Sequence, residues 1–334
     1  MSENLLELRD LVKQYPITSA LSQRQIGAVQ AVSGVSLGVP AGCTFGLVGE
    51  SGCGKTTVGR MIVGLEQPTS GAVVFGGRDV AHVKLRERRR LQRDRQLVFQ
   101  DPYASLDPRM RVGAILREPL AVQRMGSRSE QVATVMRLME EVGLPRDAIN
   151  RYPHEFSGGQ RQRIGLARAL ALNPKLIVAD EPVSALDVSI RSQVLNLMRE
   201  LQRRHDLTYV VISHDLTVVR YISDRIGVMY LGKLVEVGDA ADVYEHAAHP
   251  YTAALIATIP LPDPAHERSK SHAAIRGELP SAIDPPAGCR FHTRCPRAQD
   301  LCRAVEPPLR PFGANHLAAC HFPLQPALEE EVPA

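Results

Sequence analysis

The run Gly49-Glu50-Ser51-Gly52-Cys53-Gly54-Lys55-Thr56-Thr57 holds the residue types needed to bind a polyphosphate. Its glycines let the backbone curl until consecutive N–H groups face one anion, and the helix that should follow adds the positive end of its dipole. Lys55 then supplies a mobile charge for the outer phosphates, Thr56 a hydroxyl for magnesium, and Thr57 a second hydroxyl for an inner phosphate. Cys53 is read as a small loop residue rather than a nucleophile. Downstream, the apolar run Leu176–Ala179 ends in Asp180-Glu181. Asp180 suits a magnesium shell and Glu181 a general base for an attacking water. Alone, such an acidic pair is an ordinary strand end; paired with the loop it gains chemical meaning. Between them, Ser157-Gly158-Gly159-Gln160 offers an N-cap and two glycines that bare the first N–H groups of a helix, a second place for an anion.

The positioning elements follow from apolar periodicity. Strands are expected at 5–11, 32–39, 44–48, 72–75, 96–99, 176–179 and 208–212, with a hairpin over 225–230 and 233–238 turning at Leu231-Gly232. Helices are expected at 57–65, 112–142, from SGGQ to about 171, and 190–204. Strands alternating with helices imply a mainly parallel sheet with crossover helices, an α/β fold. Residues 260–290 are proline-rich and read as a stiff linker into a small C-terminal module.

Composition narrows the classes. The chain has 334 residues, 44% hydrophobic, with a net charge of +4, enough for a large core and too apolar for disorder. Its longest uncharged stretch, 25–49, carries Gln30, Ser33, Ser36 and Pro40 and is no bilayer span. The opening MSENLLELRD is not a secretory signal, so a cytoplasmic protein is expected. Lys84 to Arg95 is strongly basic, yet it lacks the interleaved aromatics of a base-stacking surface and reads as a solvated helix face. Cys289, Cys295, Cys302 and Cys320 follow a C-x5-C-x6-C-x17-C spacing, which in a reducing compartment reads first as a metal site. It matches neither the paired C-x2-C of zinc ribbons nor a ferredoxin run, so zinc, a [4Fe–4S] cluster and free thiols all stay open.

In the order Tyr15, GESGCGKTT, Gln100, SGGQRQR, LIVADEP, SALD (184–187) and His214, the chain resembles an ATP-binding-cassette ATPase over nearly its whole length. The resemblance implies a P-loop NTPase cassette over 1–245: a mixed sheet with a RecA-like core, an antiparallel β part and an inserted helical subdomain at about 101–170. It implies ATP and Mg2+ as cofactors. Tyr15 would stack on adenine, Gln100 would couple magnesium to a membrane partner, Asp187 would line a dimer interface, and His214 would contact the γ-phosphate and position the water. In a head-to-tail dimer, Ser157, Gly159 and Gln160 of one subunit would close over the ATP held by Lys55 of the other. The loop reads GKTT where the family often reads GKST, a hydroxyl-for-hydroxyl change.

The stretches FQDPYASLDPRM (99–110), HPYTAAL (249–255) and GELPSAIDPPAGCRFHTRCPRA (277–298) are similar to the ATP-binding subunits of oligopeptide and dipeptide importers, a class that also carries nickel and glutathione. The match implies a sister ATPase as dimer partner, two membrane permease subunits, an external binding protein acting indirectly, and a place on the inner face of the bacterial plasma membrane. It also implies an iron–sulfur cluster on the four cysteines of an extension spanning 246–334, whose charge Arg290, Arg294, Arg297 and Arg303 would offset. Two rival classes carry less: a soluble cassette ATPase on ribosomes or DNA would have two cassettes or coiled-coil insertions, and a metal- or redox-sensing switch rests on the cysteines alone. No nucleic-acid partner is expected.

Overall fold

A computed structural model describes residues 4–19, 24–81, 83, 85–101, 105–259 and 277–324. Most of the proline-rich linker, Tyr103 and Ala104 of the loop after Gln100, and Lys84 of the basic run lie outside the described residues.

Three strands are buried along their whole length, as strands covered on both faces must be: β3 (Thr44–Val48), β7 (Leu176–Asp180) and β8 (Thr208–Ser213). With β6 (Arg95–Val98) and β9 (Arg225–Tyr230) they form a parallel sheet ordered β9-β3-β8-β7-β6. Period-2 alternation divides the core: Ile177, Tyr209 and Val211 face one cluster, Val178, Val210 and Ile212 the other. The expected hairpin is present, with β10 (Lys233–Asp239) antiparallel to β9. Two strands that local pattern did not announce, β11 (Arg310–Gly313) and β12 (His316–Ala318), extend this sheet from the C-terminal region. Glu236 pairs with Ala318 and Val237 with Leu317.

A second, antiparallel sheet has the order β2-β1-β4-β5: β1 (Asn4–Thr18), β2 (Gln25–Pro40), β4 (Ser70–Phe75) and β5 (Arg78–Asp79). It covers one face of the parallel sheet, where Leu6, Leu8, Val35 and Phe75 pack with Phe45, Val58 and Ile62. Helix α1 (Lys55–Ile62) follows the glycine-rich loop, and α2 (Leu85–Asp94) carries the basic run. The helix expected across 112–142 is two, α3 (Val112–Val122) and α4 (Arg128–Glu141), because Arg124 and Gly126 take left-handed backbone. Ser127 then restarts the helix with a reciprocal cap to Glu130. Helix α5 (Gly158–Leu170) joins this group, and α6 (Val188–His205) and α7 (Leu216–Ile222) flank the parallel sheet. Short helices α8 (Ala240–Glu245), α9 (Pro250–Ala257) and α10 (Asp300–Ala304) belong to the C-terminal part.

Candidate active site and the four-cysteine cavity

The loop after β3 is held in shape by its own lysine and by its glycines. Gly54, at φ 105°, caps α1, and a Cβ there would sit 2.1 Å from the Ala31 carbonyl oxygen of β2. No L side chain fits that combination of backbone and space. Lys55 is buried, and its Nζ donates to the carbonyls of Gly49 (2.7 Å) and Glu50 (2.9 Å). Cys53 is buried and burial raises its thiol pKa, which suits the reading of an inert loop residue. Tyr15 is half-buried on β1 opposite Val29, two residues from Ala31, so its strand runs beside the loop; Lys13 lies 4.9 Å over its ring.

The expected magnesium residues meet. Thr56 Oγ1 donates to Asp180 Oδ1 at 3.2 Å, at the end of β7. Asp180 is buried, and desolvation pushes its carboxyl pKa up, with the Thr56 hydroxyl opposing. A bound cation would reverse that balance.

Glu181 turns sharply away from the strand, with φ 46° and its N–H donating to Ile212 O at 2.8 Å. A non-glycine residue in this region is strained, and such strain clusters at working sites. Its carboxylate lies between two residues that the sequence separates widely: Gln100 Nε2 donates to Oε2 at 2.9 Å, and His214 Nδ1 is 2.8 Å from Oε1. His214 is 55% exposed, open to solvent beside the loop. Asp215, next in sequence, caps α7 and lies 3.6 Å from Arg191, whose Nε donates to Leu186 O. The turn carrying Asp187 is thereby tied to the segment carrying His214, while Asp187 itself is exposed at the start of α6.

Ser157 and Gln160 cap their own helix reciprocally, Gln160 N to Ser157 Oγ (3.4 Å) and Ser157 N to Gln160 Oε1 (3.0 Å). Both are exposed, whereas Gly159 is buried against Ile190. Among the described residues the segment makes no hydrogen bond to the phosphate loop; it is a second, separately built helix start.

The four cysteines line one small cavity together with His249, Phe291, His292 and His321. Burial lifts the thiol pKa of Cys289 and of Cys320 to about 11, and neighbouring thiolates would lift each further. His249 is buried; its Nδ1 accepts from the Tyr251 N–H at 3.0 Å, and its Nε2 has no hydrogen-bond partner. The donor set is that of a soft metal. The cavity, however, is about 10 Å³, room for one water, and among the described residues no three His, Cys, Asp or Glu side chains stand at metal-holding distance. This geometry does not support the expected four-iron cluster: the thiols line one cavity, but that cavity has no room for the cluster and its lining is not arranged as a metal site.

Sequence reasoning gave Arg290 and Arg294 to the cysteines as counter-charges, whereas the structure turns them to β2 and to the phosphate loop, and it did not single out Tyr251 as a tie to that loop. Tyr251 Oη accepts the Glu50 N–H (2.9 Å), Arg294 Nη1 donates to Glu50 Oε2 (2.8 Å), and Arg290 donates to Gln30, Ser33 and Leu231 O. Nothing in local spacing announces contacts across 201 and 244 residues. The HPY stretch was the only flag.

Comparison with known proteins bears on the same elements. Residues 32–184 match the ABC transporter family, and residues 235–302 match the oligopeptide/dipeptide transporter C-terminal region. The chain is 50% identical over 321 residues to the oligopeptide transport ATP-binding protein AppF of Bacillus subtilis, covering 96% of this chain and 98% of that one. It is equally similar, 50% over 316 residues, to a putative peptide import ATP-binding protein of Brucella ovis, covering 95% and 97%. Among solved structures, the dimeric ATP-binding cassette MJ0796 in a post-hydrolysis state with ADP and Pi matches with a TM-score of 0.63 and 28% identity, covering 70% of this chain and 98% of that one. The chain is therefore an ATP-binding-cassette ATPase, and it belongs to the ATP-binding subunits of the oligopeptide/dipeptide class of ABC transporters.

Proposed function

We propose that this subunit drives uptake of peptides by hydrolysing Mg-ATP at an interface with a sister ATPase. One observation carries the assignment of chemistry: the Glu181 carboxylate sits within hydrogen-bond reach of both Gln100 and His214 and one residue from the Thr56–Asp180 pair. Lys55, Thr56 and Asp180 hold the triphosphate and its Mg2+; Glu181 takes the proton of the attacking water; His214 orients it and senses the outer phosphate; Gln100 reports the state of the site outward. Tyr15 supports the base beside the loop. Ser157, Gly159 and Gln160, with Asp187, face a partner cassette, since their helix start is idle toward the chain's own loop. Glu181→Gln is expected to keep nucleotide affinity and lower turnover at least about 100-fold, the usual contribution of a positioned base. Wild-type turnover in that variant would refute the assignment.

Docking to permease subunits is supported by a cavity of about 380 Å³ between β6, α3 and α5, lined by Phe99, Val122, Gln96 and Arg168, in which Phe99 and Val122 are exposed apolar side chains. Among the described residues no helix is long and apolar enough to cross a membrane, so attachment would run through such a groove, on the cytoplasmic face. The relatives' names support peptide as cargo. Residues 246–334 act as an extension that closes the sheet and carries the thiols. For their cavity we favour one soft ion such as zinc over the larger cluster; Cys289, Cys295, Cys302 and Cys320 would have to move into coordinating positions to hold it. Metal analysis and the absorption spectrum of anaerobically purified protein test this: bound zinc supports it, and iron with sulfide absorption overturns it in favour of the cluster.

A further inference from the structure

The geometry points to Arg294 of the C-terminal extension as a positioning residue of the ATP-binding loop, whose task is to neutralise the loop's own carboxylate. A loop that must hold a triphosphate contains an acid, Glu50, in its second position. An ionised carboxylate there repels the ligand unless a cation answers it. Arg294 Nη1 lies 2.8 Å from Glu50 Oε2, with the two side chains 8% and 24% exposed, so the pair is shielded from solvent screening.

Both partners are fixed from several sides. Glu50 has its N–H on Tyr251 Oη at 2.9 Å and its carbonyl on Lys55 Nζ at 2.9 Å. The same residue therefore links the extension to the phosphate lysine. Arg294 also reaches Tyr230 Oη at 3.4 Å and lies 5.8 Å over that ring. Tyr230 in turn packs edge to face on Tyr251 and Phe291, with centroids 4.7 and 5.2 Å away, which holds its ring under the guanidinium. Arg290, four residues earlier, donates to Gln30 Oε1 (3.0 Å) and Ser33 Oγ (3.1 Å) on β2, which fixes the module to the strand behind the loop.

The inference rests on the ATP-binding reading of the loop. It is tested with Arg294→Gln, Glu50→Gln, the double variant and Arg294→Lys, each in the assembled transporter, by steady-state ATPase and by titration with a fluorescent ATP analogue. Arg294→Gln leaves Glu50 unanswered and should raise KM for Mg-ATP and the analogue's Kd about tenfold with kcat within about twofold, the scale of a lost charge-assisted hydrogen bond. Adding Glu50→Gln should restore KM to within about threefold of wild type, because the offending charge is then gone. Glu50→Gln alone, which leaves the Arg294 charge unanswered, should bind the anionic nucleotide more tightly than wild type, and Arg294→Lys should recover part of the loss. The proposal is overturned if Arg294→Gln leaves KM unchanged, if the double variant is as weak as Arg294→Gln, or if Glu50→Gln alone matches that loss; the last two would make the contact a plain structural tie. Wild-type protein with no magnesium-dependent affinity for the analogue would instead remove the ATP-binding reading itself.

Discussion

Acidifying the metal-free subunit from pH 7 to pH 5 should weaken it through His249. The imidazole caps α9 by accepting the Tyr251 N–H at Nδ1 and is almost wholly buried. Burial presses its pKa from 6.5 down to about 4, with Glu236 opposing; Glu236 also takes the N–H groups of Ala248 and His249 and pairs with His316. A base with a depressed folded pKa contributes stability that is complete above about 6.5 and lost as pH falls toward 4, since the unfolded chain takes up the proton first. At pH 5 an unfolded histidine is mostly protonated and the folded one mostly not, so the loss is about 2 kcal/mol. The assay is urea unfolding of wild type and His249→Asn at both pH values. Asparagine keeps a cap acceptor and carries no proton to take up. Wild type should lose about 2 kcal/mol more than the variant on acidification. Equal losses in the two proteins would refute the reasoning, since the shared carboxylates cancel in the difference.

Asp180→Asn should raise the nucleotide-free melting temperature at neutral pH. Burial raises the Asp180 pKa, so the charged carboxylate costs the folded state stability that a neutral amide does not; a lower melting temperature in the variant would count against this. Gly54→Ala should cost about 1–3 kcal/mol of strain at its left-handed position and abolish ATP binding, because the new methyl meets the Ala31 carbonyl oxygen. ATP affinity equal to wild type would show that the loop tolerates it.

Much of this was legible in the residues. The buried strands β7 and β8 announce themselves as unbroken β-branched and apolar runs, and the phosphate loop by its glycines and lysine. Gln100, Glu181 and His214 could be named from motif order, but their meeting on one carboxylate is a product of β6, β7 and β8 lying side by side. The split between α3 and α4 was legible in Gly126 and the Ser127-x-x-Glu130 cap, which lie in a stretch, 126–131, without a large apolar side chain. β12 is too short to show periodicity, and its pairing with β10 is settled by Glu236 receiving His316 in the interior. Arg294 drew notice only as a counter-charge to the cysteines: an arginine beside a cysteine says nothing about a glutamate near the other end of the chain. The cysteines marked a group correctly, while the size of their cavity is a matter of packing that spacing does not encode.

The position of β3 has a consequence for how the polypeptide matures on the ribosome. This central strand emerges early, yet both its neighbours, β8 and β9, are translated only after the whole helical insertion. The nascent loop thus has no finished sheet to hang from until about two-thirds of the message has been read, and Arg294 and Tyr251 arrive later still. Pairings between such distant segments close slowly and leave apolar strand edges open meanwhile. Competence to hold a nucleotide is accordingly one of the last properties this chain acquires, which favours assembly with its partners after release rather than during elongation.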